Sequence, residues 1–189
     1  MNCLGNQFTS IVVEDFFEQF DLIKDEFKKI PLYDSVELTK LNRETFNLTE
    51  NGGEETWPGS RSEPLFKVSP FLEALFLQTF DNKFKNFFAD KKVSCKTSLH
   101  LRLDKDDTSD WIHQDNEVAD YSLLVYLSDT NLQSGTGLYN PKKELITDVK
   151  FVQNRAFLFS SDYFHKAIGN HGNNIHDGRL TFNAFFRIG

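Results

Sequence analysis

The chain has 189 residues, enough for one domain around one sizeable core. Its hydrophobic fraction of 39% and aromatic fraction of 14%, with 20 Phe, exclude a disordered chain and point to a Phe-packed core. The net charge of -7, with no basic block beyond short pairs such as Lys91-Lys92 and Lys142-Lys143, argues against a generic nucleic-acid partner.

The N-terminal residues, which include Cys3, lack the basic and apolar blocks of a secretory signal, and no apolar run approaches the roughly 20 residues of a membrane span. Cys3 and Cys95 form neither a disulfide framework nor a zinc spacing. The expectation is a soluble, cytoplasmic protein of a reducing compartment, without a membrane partner.

In chain order, the first elements are helical. From Asp15 to Ile30 the apolar residues Phe16, Phe17, Phe20, Ile23, Phe27 and Ile30 recur every three or four positions, the spacing of an amphipathic helix. Residues 51–62 are rich in Gly, Ser and Pro and read as a loop. Trp57 and Arg61 in that loop are candidate substrate contacts, the alternative being a linker whose Trp packs on the core. Ser69-Pro70 then opens a second helix, with Ser as N-cap and Pro at the first helical position. Its expected buried face is Phe71, Leu72, Leu75, Phe76 and Phe80, with Phe84, Phe87 and Phe88 in further turns.

From Val93 the pattern becomes β. Segments 98–103, 121–128, 136–139, 145–149, 155–159, 166–168 and 179–188, with a short piece at 111–113, give about eight strands, as in a sandwich or barrel. In the last, Arg179, Thr181 and Asn183 share one face, with Leu180, Phe182 and Ala184 on the other. The organisation is one domain, with a helical region over 1–97 and a β core carrying the chemistry over 98–189. Arg102, at the end of the first of these strands, is a further candidate substrate contact.

The chemistry centres on His113-Gln114-Asp115. Composition alone nearly supplies one such triplet, but on a strand residues i and i+2 face the same way, so an imidazole and a carboxylate converge on one cation. His165, 52 residues further on and at the start of another strand, is the best third ligand. Two His and one carboxylate leave three octahedral positions open on iron(II), the requirement for activating O2, though a hydrolytic zinc site remains open on this reading. The competing ligands are His100, on a β segment, and His171 and His176, in a turn-rich loop over 169–178. Arg179, 14 residues after His165, would face the interior, where a guanidinium must meet an anion. Its fork matches a carboxylate, and Thr181 on the same face can donate a hydroxyl to it. The alternative for Arg179 is a structural salt bridge.

His113-Gln114-Asp115, Tyr121 to Ser128, Gly135-Thr136-Gly137-Leu138-Tyr139, His165 and Arg179-Leu180-Thr181 together resemble the iron(II)/2-oxoglutarate-dependent oxygenase superfamily, in its prolyl-4-hydroxylase-like branch. Tyr126-Leu127-Ser128 is similar to that branch's Tyr-Leu-Asn, and the Gly-rich element to its Gly-Gly-x-Thr. The likeness covers Ser98 to Ile188. The stretches Val12 to Phe17 and Trp57 to Arg61 resemble uncharacterised bacterial and viral members.

The resemblance implies a mainly β fold, a jelly-roll or cupin-like double-stranded β-helix with N-terminal packing helices. It implies that His113, Asp115 and His165 bind Fe(II). Arg179 would pair with the distal carboxylate of 2-oxoglutarate, helped by Thr181 and the Tyr126 hydroxyl. The activity implied is hydroxylation of a small molecule or peptide side chain, with 2-oxoglutarate and O2 converted to succinate and CO2. This chain departs from the branch in having Arg at 179, where Lys is frequent, and in a longer spacing from His165. Two other readings are a cupin-like metal enzyme that does not use 2-oxoglutarate and a β-sandwich binding module without chemistry. Arg179-x-Thr181 speaks against the first, and a buried metal set would be superfluous in the second. Substrate identity and oligomeric state are not encoded in any motif.

Overall fold

The computed structural model describes residues 10–46, 57–88, 91–106 and 111–189. Cys3 and residues 51–56 of the expected loop lie outside them. The described elements in chain order are β1 (Ser10–Val13), α1 (Phe20–Phe27), α2 (Ser35–Phe46), β2 (Ser60–Arg61), α3 (Leu65–Val68), α4 (Pro70–Phe84) and β3 (Val93–Arg102). There follow β4 (Tyr121–Tyr126), β5 (Asn131–Tyr139), β6 (Leu145–Phe151), β7 (Ala156–Ser160), β8 (Phe164–Ile168) and β9 (Arg179–Ile188). The strands form a six-stranded sheet, β1-β7-β4-β9-β3-β2, and a three-stranded sheet, β6-β5-β8, with every pairing antiparallel. No helix among the described residues is long and apolar enough to cross a membrane.

The period-two pattern of β9 decides where the two cores lie. Leu180, Phe182, Ala184 and Phe186 point to one side of the larger sheet, where the helices cover them. Phe76 stacks on Phe182 with ring centres 4.3 Å apart, Phe80 stacks on Phe186 at 4.4 Å, and Phe27 meets Phe182 edge-on at 6.3 Å. The Phe excess is thus spent on a helix–sheet core. The other side of the sheet faces the smaller one. There Leu124 and Tyr126 of β4, Leu138 of β5, Phe151 of β6, and Phe157 and Phe159 of β7 form a second apolar cluster.

Phe182→Ala is expected to cost about 3–5 kcal/mol of unfolding free energy, because it removes a fully buried ring with two aromatic partners. Phe71→Ala should stay within about 0.5 kcal/mol of the parent protein. Urea unfolding measures both, and equal losses would contradict this placement of the core.

Several boundaries differ from the expectations. The first helix is only Phe20–Phe27, although Phe16, Phe17 and Ile30 beyond its ends are buried as well. Phe16 and Phe17 are fixed by Asn154 instead: the Phe16 N–H donates to the Asn154 carbonyl, and the Asn154 amide bonds both polar groups of the Phe17 backbone. Apolar spacing reports burial, and here burial extends past the helix.

Helix α2 carries a signal the apolar pattern hides. The Glu37 N–H donates to Asp34 Oδ1 (2.9 Å) and the Asp34 N–H to Glu37 Oε2 (3.3 Å), a capping box at the start of a helix in which Leu38 is the one buried residue among the described side chains. Helix α4 starts at Pro70 as expected, but the Ser69 side chain makes no cap bond. Phe71 is 64% exposed, against expectation. It lies about 100° around the helix from the buried Leu72–Phe76–Phe80–Phe84 stripe.

The expected loop contains a strand. Ser60 and Arg61 pair with Leu101 and His100 of β3. Gly59 permits this, since at φ 77° its Cα lies so close to β3 that a Cβ would fall 2.2 Å from the Leu101 carbonyl oxygen. Two residues are too few to show alternation, so only the pairing reveals them.

Candidate metal centre and its cavity

His165 lies on β8, at the free edge of the smaller sheet. His113 pairs with it as a single antiparallel bridge, the His113 N–H donating to the His165 carbonyl (3.1 Å) and the reverse bond measuring 2.8 Å. The expected strand at 111–113 is reduced to this one pairing, which sets the two imidazoles side by side with ring centres 4.4 Å apart. Two residues on, the Asp115 N–H donates to the Ser161 carbonyl (3.2 Å), which keeps Asp115 facing the same way as His113. Gln114 turns outward and donates to the Asp162 carbonyl (2.6 Å).

The result is a convergent donor set. His165 Nε2 lies 3.2 Å from Asp115 Oδ2, His113 Nε2 lies 3.9 Å from Asp115 Oδ1, and one ligand atom from each of the three residues lies within 4.8 Å of the others. Adjacent ligands of an octahedral ion with bonds of about 2.1 Å stand roughly 3 Å apart, so little adjustment separates this arrangement from a metal site.

The tautomers suit the same purpose. His113 Nδ1 is 2.9 Å from the Trp111 carbonyl and His165 Nδ1 is 3.2 Å from the Tyr163 carbonyl. A carbonyl only accepts, so each Nδ1 carries a proton; each Nε2 is left facing Asp115, where it donates to the carboxylate when the imidazole is protonated and would offer its lone pair to a metal when it is not. The Ser122 hydroxyl donates to Asp115 Oδ2 (3.1 Å) and lies 2.9 Å from the Ser161 hydroxyl. Burial raises the Asp115 pKa, but the His165 hydrogen bond, the charges of His165 and His113 and the Ser122 hydrogen bond outweigh it. The net shift is downward, toward the carboxylate. Among the described residues no other His, Cys, Asp or Glu joins this group. His100 Nε2 is taken by Ser98 Oγ (3.0 Å), His171 packs edge-on against Phe151, and His176 lies in the loop before β9.

The triad opens into a cavity of about 460 Å³ between the two sheets, whose far wall carries Arg179, Thr181 and Asn183 of β9. Arg179 is 4% exposed, and its Nη2 donates to the Gly135 carbonyl and to Thr136 Oγ1 on β5, each at 3.1 Å. Thr136 stands two residues, about 7 Å, along β5 from Leu138, which is the cross-strand partner of His165. Arg179 and the triad therefore address one cavity from opposite sheets.

Thr181 lines the cavity, and its single hydroxyl proton is within reach of Asn183 Oδ1 (2.7 Å) and, at longer range, the His100 carbonyl (3.3 Å). Tyr126 is placed differently from the expectation. It is fully buried in the cluster between the sheets, and its hydroxyl bonds to Thr136 Oγ1 (2.9 Å) and the Val149 carbonyl (3.1 Å). Its ring stacks on Phe151 at 4.4 Å, so it supports Thr136 from behind without lining the cavity. Arg61 and Arg102 stand on the cavity wall, whereas Trp57 lies outside it, beneath the Arg61 guanidinium at 4.4 Å.

His100, Lys96 and Thr136 also line the cavity. The signal for the first two was alternation along β3, where Lys96, Ser98, His100 and Arg102 interleave with Thr97, Leu99 and Leu101. A second cavity of about 360 Å³, beside Phe17, Ile23, Phe71 and Leu75, contains none of the expected site residues.

No protein-family model matches the chain, and no curated protein matches it by sequence. Solved structures do match it in shape. A prolyl-4-hydroxylase from Pseudomonas putida superposes with a TM-score of 0.57 at 13% identity, over 96% of this chain and 94% of that one. A 2OG-Fe(II) oxygenase family oxidoreductase from Burkholderia pseudomallei gives 0.60 at 12% identity, over 94% and 84%. A prolyl hydroxylase from Trichoplax adhaerens, in complex with a hypoxia inducible factor oxygen degradation domain peptide fragment, gives 0.56 at 12% identity, over 94% and 83%. At these identities the likeness establishes the fold: a double-stranded β-helix with helices packed on its larger sheet.

Proposed function

We propose that this chain is an iron(II)- and 2-oxoglutarate-dependent dioxygenase that hydroxylates a substrate, with 2-oxoglutarate and O2 converted to succinate and CO2. The observation that carries the reading is the convergence of two imidazole Nε2 atoms and one carboxylate on a cavity whose opposite wall holds a buried Arg. Two His and one carboxylate suit iron(II), which with 2-oxoglutarate supplies oxygen activation when bound.

The chain's own residues do the rest. His113, Asp115 and His165 would hold the ion, with their ligand atoms facing the cavity. The Trp111 and Tyr163 carbonyls lock the imidazole tautomers, and Ser122 holds the carboxylate. Arg179 offers its fork to the distal carboxylate of the co-substrate, and Thr136 and Thr181 frame it. Leu124 and Ala167 contribute apolar wall, and Phe159 packs edge-on against His165 at 5.0 Å, which keeps water from that side of the ligand.

Supplied with Fe(II), 2-oxoglutarate and O2, the purified protein should release succinate, and a cell extract containing its substrate should raise the rate. Because Asp115 fills the position that a halide would need, the product should be hydroxylated and not chlorinated when chloride is present. Succinate release no faster than from free iron, with and without extract, would overturn the reading. A chlorinated product would overturn the assignment of Asp115.

A further inference from the structure

We propose that Asn183 binds the oxo acid end of the co-substrate, its side-chain amide N–H donating to the carboxylate next to the keto group. This rests on the oxygenase reading, in which Arg179 takes the distal carboxylate.

Asn is disfavoured in strands. Asn183 nevertheless sits on β9, between β3 and β4 in the larger sheet, and is 8% exposed. Half of its amide is accounted for: Oδ1 lies 2.7 Å from the Thr181 hydroxyl and is the nearer of that proton's two acceptors. Nδ2 makes no hydrogen bond among the described residues. The cross-strand neighbours do not supply one. Leu124 of β4 has no polar side-chain atom, and the Ser98 hydroxyl of β3 is 3.0 Å from His100 Nε2. Nor is the nitrogen sealed among protein atoms, so it opens onto the cavity that Asn183 lines. A donor taken largely out of water and left unsatisfied costs free energy, which an acceptor on a ligand recovers.

Register places this nitrogen between the two ends of the co-substrate. Arg179, Thr181, Asn183 and Phe185 follow one another along the cavity on β9. Across β4, Thr181 pairs with Tyr126, Asn183 with Leu124 and Phe185 with Ser122, and Ser122 bonds Asp115. Asn183 thus stands one side-chain repeat, about 7 Å, short of the level of Ser122, and two repeats from Arg179. A keto acid with its distal carboxylate on Arg179 and its other end at His113, Asp115 and His165 passes Thr181 and arrives beside Asn183. Of the two groups at that end, the carboxylate is the better acceptor, since a hydrogen bond to a charged oxygen is roughly twice as strong as one between neutral groups.

The test is anaerobic titration of the Fe(II)-loaded protein with 2-oxoglutarate and with pyruvate, read by the visible band and its maximum. Pyruvate has the same oxo acid end and no distal carboxylate. Asn183→Ala should weaken both keto acids about tenfold or more and by the same factor, whereas Arg179→Gln weakens 2-oxoglutarate selectively. Asn183→Asp has nearly the same shape but sets one carboxylate against another, so it should weaken both keto acids further than Asn183→Ala does. The band maximum should move in both Asn183 variants. Fe(II) affinity of Asn183→Ala without keto acid should change by less than about twofold. Melting curves show whether each variant is folded.

Affinities for both keto acids within about twofold of the parent, in folded Asn183→Ala and Asn183→Asp, overturn the proposal. A loss confined to 2-oxoglutarate does so too, because it places Asn183 at the distal end. So does an equal loss of Fe(II) itself, because it makes the residue a structural one. The parent protein separates this proposal from the oxygenase reading. A parent that forms no band with Fe(II) and 2-oxoglutarate fails that reading, whereas a parent band with unchanged Asn183 variants fails only the assignment of Asn183.

Discussion

Asp115→Ala should lower Fe(II) affinity by more than about a hundredfold, since even supporting groups around metal ligands are worth ten- to a hundredfold. Asp115 is the anionic member of the donor set and lies within 3.9 Å of both imidazole Nε2 atoms. Its loss leaves two neutral ligands, which do not balance a dication in a half-buried site. Asp115→Asn is the sharper comparison, because it keeps the side chain's size and its ability to accept from Ser122 while removing the charge. It should lose most of the affinity too. Anaerobic equilibrium dialysis measures iron binding, and the weak visible band formed on adding 2-oxoglutarate reports the assembled site. His113→Ala should behave in the same direction. Unchanged iron affinity and an unchanged band in folded Asp115→Ala and His113→Ala would remove this triad as the metal centre.

Arg179→Gln should weaken 2-oxoglutarate by roughly a hundredfold and leave iron affinity nearly unchanged. The guanidinium is buried between the sheets, with its carbon 5.5 Å from the Phe151 ring centre and 5.8 Å from that of Tyr126. In such surroundings a bidentate pair with a carboxylate is strong, and leaving that carboxylate without its partner costs on the order of 3 kcal/mol, about two factors of ten. Arg179→Lys keeps the charge and loses the fork, so it should fall between the two. Pyruvate lacks the distal carboxylate and should be a poor co-substrate for the parent protein, with its affinity much less affected by Arg179→Gln. Dissociation constants from titration of the visible band measure all of this. Equal 2-oxoglutarate affinity in parent and Arg179→Gln would take Arg179 out of the site and revive a metal enzyme that does not use 2-oxoglutarate.

The alternation in Arg179 to Ala184 was legible because strand geometry is local. Successive side chains point to opposite faces whatever the strand pairs with, so Arg179, Thr181 and Asn183 were bound to share a side. The Ser69-Pro70 start likewise placed a helix correctly, whereas His113 and Asp115 face the same way through the His113–His165 bridge and the Asp115 N–H bond to the Ser161 carbonyl, outside any strand. Local rules failed where the decisive contact was distant. Phe71 has the same chemistry as Phe76, but only the position of the sheet makes one exposed and the other buried. Ser60 and Arg61 read as loop because two residues have no period, and their strand exists through β3. The contacts of Tyr126, whose role beside the co-substrate was implied by the family resemblance alone, also follow from tertiary packing: its hydroxyl bonds Thr136, which Arg179 also bonds, and the Val149 carbonyl.

The sequence by itself determined the fold type, the helix-facing and cavity-facing sides of β9 and a pool of candidate ligands. The tertiary structure decided which of those candidates meet. His165 joins His113 through a bridge across 52 positions of chain, and Arg102 faces Arg179 only in the register that β3 and β9 adopt. The physical reason is range. Side-chain direction follows from each residue's own backbone, whereas register is a property of the whole packed sheet, and a shift of one residue would turn every one of these groups to the other face.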